Sequence, residues 1–233
     1  MKKNYNHSKK IFCLIPARSG SKRIKNKNIK KLKGQELFLY TVKFAKKINP
    51  THICFSTDSK KYLSLVKKHL IVDKLRPKKL SGDLVKTYDV FKYELLNAEK
   101  KLQIKFDYLL LLQPTVPFRK ISDYKKSLEL INSKNCDSVV TLNSVEGYHP
   151  ERMKIIKKGY TKNYTKKTKE NMQPIQNLEK VYLRSGSIYL IKRYAFFKYR
   201  NMLGKKLKSI IVSGKYSINI DNKKDLILAE KSN

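Results

Sequence analysis

Cysteine, acidic residues and long apolar runs are all scarce in this chain of 233 residues, and each shortage removes a class of protein. The three cysteines (Cys13, Cys54 and Cys136) stand far apart, each inside an apolar stretch. Neither a disulfide framework nor a thiolate metal site is spaced like that. They read as buried thiols of a reducing compartment, so the expected location is the cytoplasm. No run approaches the roughly 20 apolar residues of a membrane helix. Behind the charged start MKKNYNHSKK, the segment IFCLI is cut short by Pro16, too short for the apolar region of a secretory signal. Glycine and proline never gather into a long linker, and no internal repeat appears. The phosphate-binding pattern GxxxxGK[ST] is missing, as is the GxGxxG of dinucleotide-binding folds.

Acidic residues number only 18 against 54 lysines and arginines, leaving a formal net charge of +36. Such a balance can mark a nucleic-acid partner. Here the lysines are spread from end to end in short pairs (KKIN, KKYL, KKHL, KKGY) and travel with abundant Asn, Ile and Tyr. That is how an AT-rich coding sequence biases composition, and it makes a solvated basic surface with a weak, salt-sensitive attraction to phosphates. A nucleic-acid-binding protein would need its cations on one face with exposed aromatics among them, so that reading is disfavoured.

What is present is an alternation of apolar runs and helical patterns. Strands are expected at 11–17, 52–57, 71–73, 107–113 and 136–142. Helices are expected at 37–48, through Tyr62, Leu63 and Val66, across 84–102, and from Ile121 to Ile131. The run DYLLLLQ is nearly all apolar, as a central parallel strand buried on both faces should be. The alternation predicts an α/β fold, with a mostly parallel sheet and helices on both faces. It breaks down across 143–180, a polar stretch that reads as an inserted arm. Strands resume at 187–192, 209–213 and 217–221, before a last helix over 225–230. One domain over 10–231 is expected, behind a basic tail at 1–9.

In open α/β sheets, ligands sit beyond the carboxyl ends of the strands. The first strand delivers ARSGSKRIKNKN, five cations around a Ser-Gly-Ser hinge. Backbone N–H groups there can turn toward an anion. Arg18, Ser21, Lys22 and Lys27 could hold a triphosphate, arginine as a planar fork and lysine as a point charge. The other strands deliver STDS (56–59), LRPKKLSGD (75–83), QPTVPFR (113–119) and finally Asn219 and Asp221. Asp58 and Asp221 each precede a helix, so each can also be read as an N-cap. Taken together, cations, polar donors and a carboxylate at one end of one sheet equip it for a nucleoside triphosphate with a divalent metal.

The ordered set IPARSGSKRIKNKNIKKLKG, LRPKKLSGDLVKT, LLQPTVPFR, HPERMK, YLRSGSIYL and INIDNKKDL resembles the acylneuraminate cytidylyltransferases. These enzymes form CMP-sialic acid and its legionaminic and pseudaminic relatives. The resemblance implies a Rossmann-like nucleotidyltransferase fold and a homodimer, with the arm at 143–180 reaching across to the neighbouring subunit's site. It implies CTP and a nonulosonic acid as substrates and Mg²⁺ as cofactor. Arg18, Ser21, Lys22 and Lys27 then look like the triphosphate grip, and Asn28, Arg76, Thr87 and Gln113 like the nucleoside and base contacts. Asp221 looks like the metal-binding aspartate, with Asn219 beside it where relatives pair two aspartates. Arg18, Lys22 and Asp221 would carry the catalysis. At the sugar end, Gln176, Ser185 and Tyr189 are the candidates. There the chain has Ile175-Gln176 for the relatives' Arg-Gln, and Ser185-Gly186 for their Asn-Gly. A KDO-like ketosugar acid, or CTP binding without turnover, stands as the alternative. His149, in YHPER, is as readily a structural residue of the arm as a base.

Overall fold

The computed structural model describes residues 9–21, 23–70, 72, 74–145, 147–165, 172 and 174–232. The first strand, β1 (Ile11–Pro16), lies inside the main sheet. Ile11, Cys13 and Ile15 lie in one buried apolar layer, whereas Phe12 and Leu14 lie in another. Alternate side chains of a strand leave on opposite faces, so a strand apolar at every position must be covered twice.

The covering helices come from the intervening sequence. After β1 the chain makes the short ladder β2 (Lys31–Leu32) and β3 (Gln35–Glu36), and then α1 (Leu37–Ile48), β4 (His52–Ser56) and α2 (Lys60–Lys67). There follow α3 (Thr87–Leu102), β5 (Tyr108–Leu111), α4 (Ile121–Asn132) and β6 (Ser138–Ser144). A hairpin of β7 (Lys154–Lys157) and β8 (Tyr160–Asn163) precedes β9 (Tyr182–Lys192), α5 (Arg193–Tyr199), β10 (Leu207–Ile211) and α6 (Lys223–Lys231). Helices α1, α2 and α4 supply Phe38, Val42, Tyr62, Val66, Tyr124 and Ile131 to the first layer. Helices α3 and α5 supply Phe91, Leu95, Ala195 and Phe196 to the second.

The sheet has six strands in the order β10-β6-β9-β5-β1-β4. It is mostly parallel, as the alternation predicts, but β9 runs antiparallel to both β5 and β6. Among the described residues only a 3-10 turn (Ile175–Asn177) lies between the hairpin and β9, and no crossover α-helix that would return the chain in the parallel sense. A third, smaller cluster joins Ile24 of the loop after β1, Leu32, Ile218, Ile220 and Ala229 of α6. It pins the C-terminal segment against that loop.

Two expected strands differ. Across 217–221 there is no strand: a 3-10 turn (Gly214–Ser217) leads into an irregular segment, held by the Ile220 N–H donating to the Thr115 carbonyl at 2.8 Å. Of 71–73, Ile71 and Asp73 lie outside the described residues, and Val72 belongs to no strand. The polar stretch 143–180 holds the end of β6 and the exposed β7–β8 hairpin. His149 is buried there, its Nε2 on the Glu179 carbonyl at 2.9 Å and its Nδ1 accepting from the Glu151 N–H. Both ring nitrogens are committed to backbone, so its role in the arm is structural.

Candidate active site

A cleft of about 560 Å³ opens where β1 and β5 end. On one side, the loop after β1 contributes Arg18, Ser21, Arg23, Lys27 and Asn28. Facing them are Gln113, Pro114 and Thr115 from the segment after β5, with Asn219 and Asp221 from the C-terminal segment and Asp83 from the loop before α3. Arg18, Ser21, Lys27, Asn28, Gln113, Asn219 and Asp221, scattered over two hundred residues of sequence, therefore share one wall-to-wall space. Lys22 lies outside the described residues.

Local structure explains each placement. The loop after β1 folds back on itself, with the Ser21 N–H on the Ser19 carbonyl at 2.8 Å and the Asn28 amide on the Arg18 carbonyl at 3.0 Å. Asp58 grips the same loop, taking the Ser19 N–H at 2.8 Å and the Ser19 hydroxyl at 3.1 Å. The N-cap reading of Asp58 is thereby corrected, because α2 is capped by Ser59, which accepts from the Tyr62 N–H. For Asp221 the N-cap reading fails in the same way. Asn222 caps α6 in a reciprocal pair with Asp225, and Asp221 is left to face the cleft.

Gln113 is held from behind by Arg119. That guanidinium, part-buried, donates to the Gln113 carbonyl (2.6 Å), the Val116 carbonyl (2.6 Å), the Ser187 carbonyl (2.8 Å) and the Thr41 hydroxyl (2.9 Å). Burial pulls it down to about 9, still far enough above neutrality to keep the charge. Four oxygen acceptors replace the carboxylate a buried arginine usually needs. Gly186, at φ +80°, lets the Gln113 side chain lie against β9, because a Cβ there would stand 2.4 Å from its Oε1.

Ion pairs cross the cleft from Arg18 to Asp83 at 2.6 Å and from Lys27 to Asp221 at 2.8 Å. Asn219 donates its amide to the other Asp221 oxygen at 3.2 Å, while its own Oδ1 is buried with no partner. Among the described residues no cluster of three or more His, Cys, Asp and Glu could cage a metal. A divalent cation here would have one carboxylate, one amide oxygen and whatever a ligand and water supply. That donor set suits an oxygen-seeking Mg²⁺, which keeps much of its coordination shell for phosphate and water. The unpartnered Asn219 oxygen fits it too.

The remaining expected residues lie elsewhere. Arg76 is 6% exposed and does not line the cleft, and its Nε and Nη2 hydrogens have no partner. Burial lowers its guanidinium from the usual range, while Asp58 and Glu94 nearby counter that effect. Thr87 opens α3 and is exposed, and Gln176 lies exposed in a 3-10 turn. Ser185 and Tyr189 sit in β9 away from the cleft. The Ser185 hydroxyl is bonded to the Thr141 hydroxyl at 2.7 Å, and Tyr189 is packed in the second core layer. Their strand faces turn them inward, which the sequence did not reveal. Asp83, Asp58 and Arg119 were missed as site residues. The first two carry charges opposite to the expected grip, and the third lies part-buried behind Gln113.

The match to the cytidylyltransferase family model runs over residues 12–227. The chain is a member of that family. This cytidylyltransferase is 27% identical over 221 residues to an N-acylneuraminate cytidylyltransferase of Streptococcus agalactiae serotype III (strain NEM316), covering 94% of this chain and 52% of that protein. It therefore spans about half the length of that relative. It is 30% identical over 228 residues to a CMP-N,N'-diacetyllegionaminic acid synthase of Legionella pneumophila, with 95% of both chains covered. The solved structure of a CMP:2-keto-3-deoxy-manno-octonic acid synthetase complexed with CTP superposes with a TM-score of 0.65 at 15% identity, over 95% of this chain and 97% of that one. The last likeness is one of fold.

Proposed function

We propose that this cytidylyltransferase activates a nonulosonic acid, of the sialic, legionaminic or pseudaminic type, by transferring CMP from CTP with release of pyrophosphate. The observation that carries the reading is the convergence of Arg18, Ser21 and Lys27 with Gln113 and Asp221 in one cleft beyond the carboxyl ends of parallel strands. The anomeric hydroxyl of the sugar attacks the α-phosphorus in line, a new P–O bond forms, and the bond to the β-phosphate breaks. The hydroxyl proton is released and pyrophosphate departs.

In such transfers the protein positions the partners and neutralises charge. Arg18 and Lys27, with Lys22 by its place in the motif, take the phosphate oxygens; each must leave or share its carboxylate to do so. Asn28, Arg76, Thr87 and Gln113 are the proposed nucleoside contacts. For Arg76 the support is physical, since a buried guanidinium with free donors favours an acceptor-rich partner such as a cytosine edge. Asp221 and Asn219 would hold Mg²⁺, which when bound screens the phosphate charge and orients the leaving group. Gln176, Ser185 and Tyr189 remain the sugar-end candidates by resemblance.

The proposed assembly is a homodimer in the cytoplasm, its exposed arm lying against the partner. The β7–β8 hairpin leaves Ile156 and Tyr160 about three-quarters exposed, an unusual display for a solitary hairpin. The test of the reaction is pyrophosphate release from CTP with Mg²⁺ across a panel of nonulosonic acids, KDO included. Turnover with a nonulosonic acid and not with KDO is expected; turnover with KDO alone moves the substrate class, and none with any sugar overturns the proposal.

A further inference from the structure

We infer that Asp58 is a positioning residue for triphosphate binding, acting through Ser19 to hold the anion-binding loop in its working shape. The ligand named here rests on the CTP reading above; the loop geometry stands apart from it. Asp58 takes both hydrogens that Ser19 offers, one on each carboxylate oxygen, across 39 positions of sequence. The same end of β4 ties down two segments of the site. The Ala17 N–H donates to the Ser56 carbonyl, and the Arg76 N–H to the Thr57 carbonyl at 2.7 Å. Asp58 thus sits where the loop after β1 and the segment bearing Arg76 are both tied down, and its charge favours the buried Arg76 guanidinium. It has no duty at α2, whose cap is Ser59.

The sign of the effect separates positioning from bystander electrostatics. A carboxylate beside a phosphate grip repels a triphosphate, so Coulomb's law alone says that removing it should tighten binding. If Asp58 shapes the loop, its removal should weaken binding despite the relief of repulsion.

The experiment is titration calorimetry of CTP and of inorganic tripolyphosphate with the full chain, Asp58→Asn, Asp58→Ala and Ser19→Ala. Enough salt is present to screen the surface lysines, and circular dichroism checks the fold. Asp58→Ala is expected to weaken both ligands by about tenfold or more, the scale of a lost charge-assisted hydrogen bond. Asp58→Asn should fall between it and the unaltered chain, because its amide oxygen still accepts from the Ser19 N–H, and Ser19→Ala should lose less than Asp58→Ala. In turnover, KM for CTP should rise while KM for the sugar stays put, a split that general loosening would not give. Binding of either ligand as tight as, or tighter than, that of the unaltered chain overturns the inference. Should Asp58→Ala fail to fold, Asp58→Asn decides. If the unaltered chain binds tripolyphosphate with no preference for CTP, the nucleotide reading falls, while the Asp58 ratio on tripolyphosphate still decides the loop. If it binds neither, both fall.

Discussion

Single residues in the cleft are held in opposition, and their substitution should expose it. Arg18 is paired with Asp83, so Arg18→Ala removes both a phosphate contact and that ion pair. Turnover should fall at least about a hundredfold, taking one charge-assisted contact that strengthens in the transition state, with the fold unchanged by circular dichroism. Near-normal rates would return the loop to a plain basic surface. Asp221 faces Lys27 and Asn219, so a metal must share it with an ammonium and draw on a neutral amide oxygen. A Mg²⁺ titration of turnover is expected to show a lower requirement in Asn219→Asp than in the unaltered chain, and no metal-dependent activity in Asp221→Ala. An unchanged requirement in Asn219→Asp removes Asn219 from the ligand set. Arg18, Ser21, Lys27 and Asp221 were legible in sequence because charge and small residues cluster there. Asp58 was not, because an aspartate just before a helix looks like a cap, and its true partner is 39 residues away.

At the scale of elements, β9 and α3 set the tolerances. Gly186 in β9 has φ +80°, and a Cβ would meet the Gln113 Oε1 at 2.4 Å and the Val116 Cγ2 at 3.3 Å. Gly186→Ala should therefore cost about 1–2 kcal/mol from the left-handed backbone alone and, by displacing Gln113, raise KM for CTP. Denaturant unfolding with steady-state kinetics would check both, and an unaltered KM would free Gln113 from the nucleotide. Helix α3 is tied to the start of α5 by Glu99, which accepts two hydrogen bonds from Arg193 at 2.7 and 2.9 Å and one from the Phe106 N–H. Burial alone would raise the Glu99 carboxyl, but the bonds from Arg193, Phe106 and Lys105 outweigh it and hold the group below its usual range. With the folded value depressed, this stabilisation is complete above the unfolded carboxyl's value of about 4.3 and is lost as pH falls through the folded one. Glu99→Gln should destabilise by about 3 kcal/mol near neutrality, and the gap should close in acid. A gap that is constant with pH would show that the ionised carboxylate is not what matters. Helices α1, α3 and α4 were legible from their apolar spacing. The sense of β9 was not, since period-2 alternation is the same in either direction.

The whole molecule carries an exposed hairpin with apolar side chains on it and a high positive charge. The β7–β8 hairpin exposes Ile156 and Tyr160, and Tyr182 and Leu183 at the start of β9 are exposed as well. If a second copy covers this surface, Ile156→Asp should shift the protein toward monomer in light scattering without lowering its melting cooperativity. A protein monomeric before and after the change would remove the dimer. Among the described residues no helix is long and apolar enough to cross a membrane. The net charge of +36 should make every phosphate affinity fall with salt, so variants differ meaningfully only at matched ionic strength.

The amino-acid order by itself determined the α/β class, the buried character of β1 and β5, and the residue types at the carboxyl end of the sheet. Those follow from period and composition, which are local. Only the tertiary structure decided which charges meet. Ile218 and Ile220 pack against Ile24 in one apolar cluster, and that packing brings Asp221 to Lys27 across 194 positions of chain, with Asn219 beside it and no strand to register them. The same burial turns Tyr189 and Ser185 into the sheet and leaves Arg76 enclosed with unpaired donors. Side-chain direction and burial depend on what packs above and below, and no window of sequence contains that.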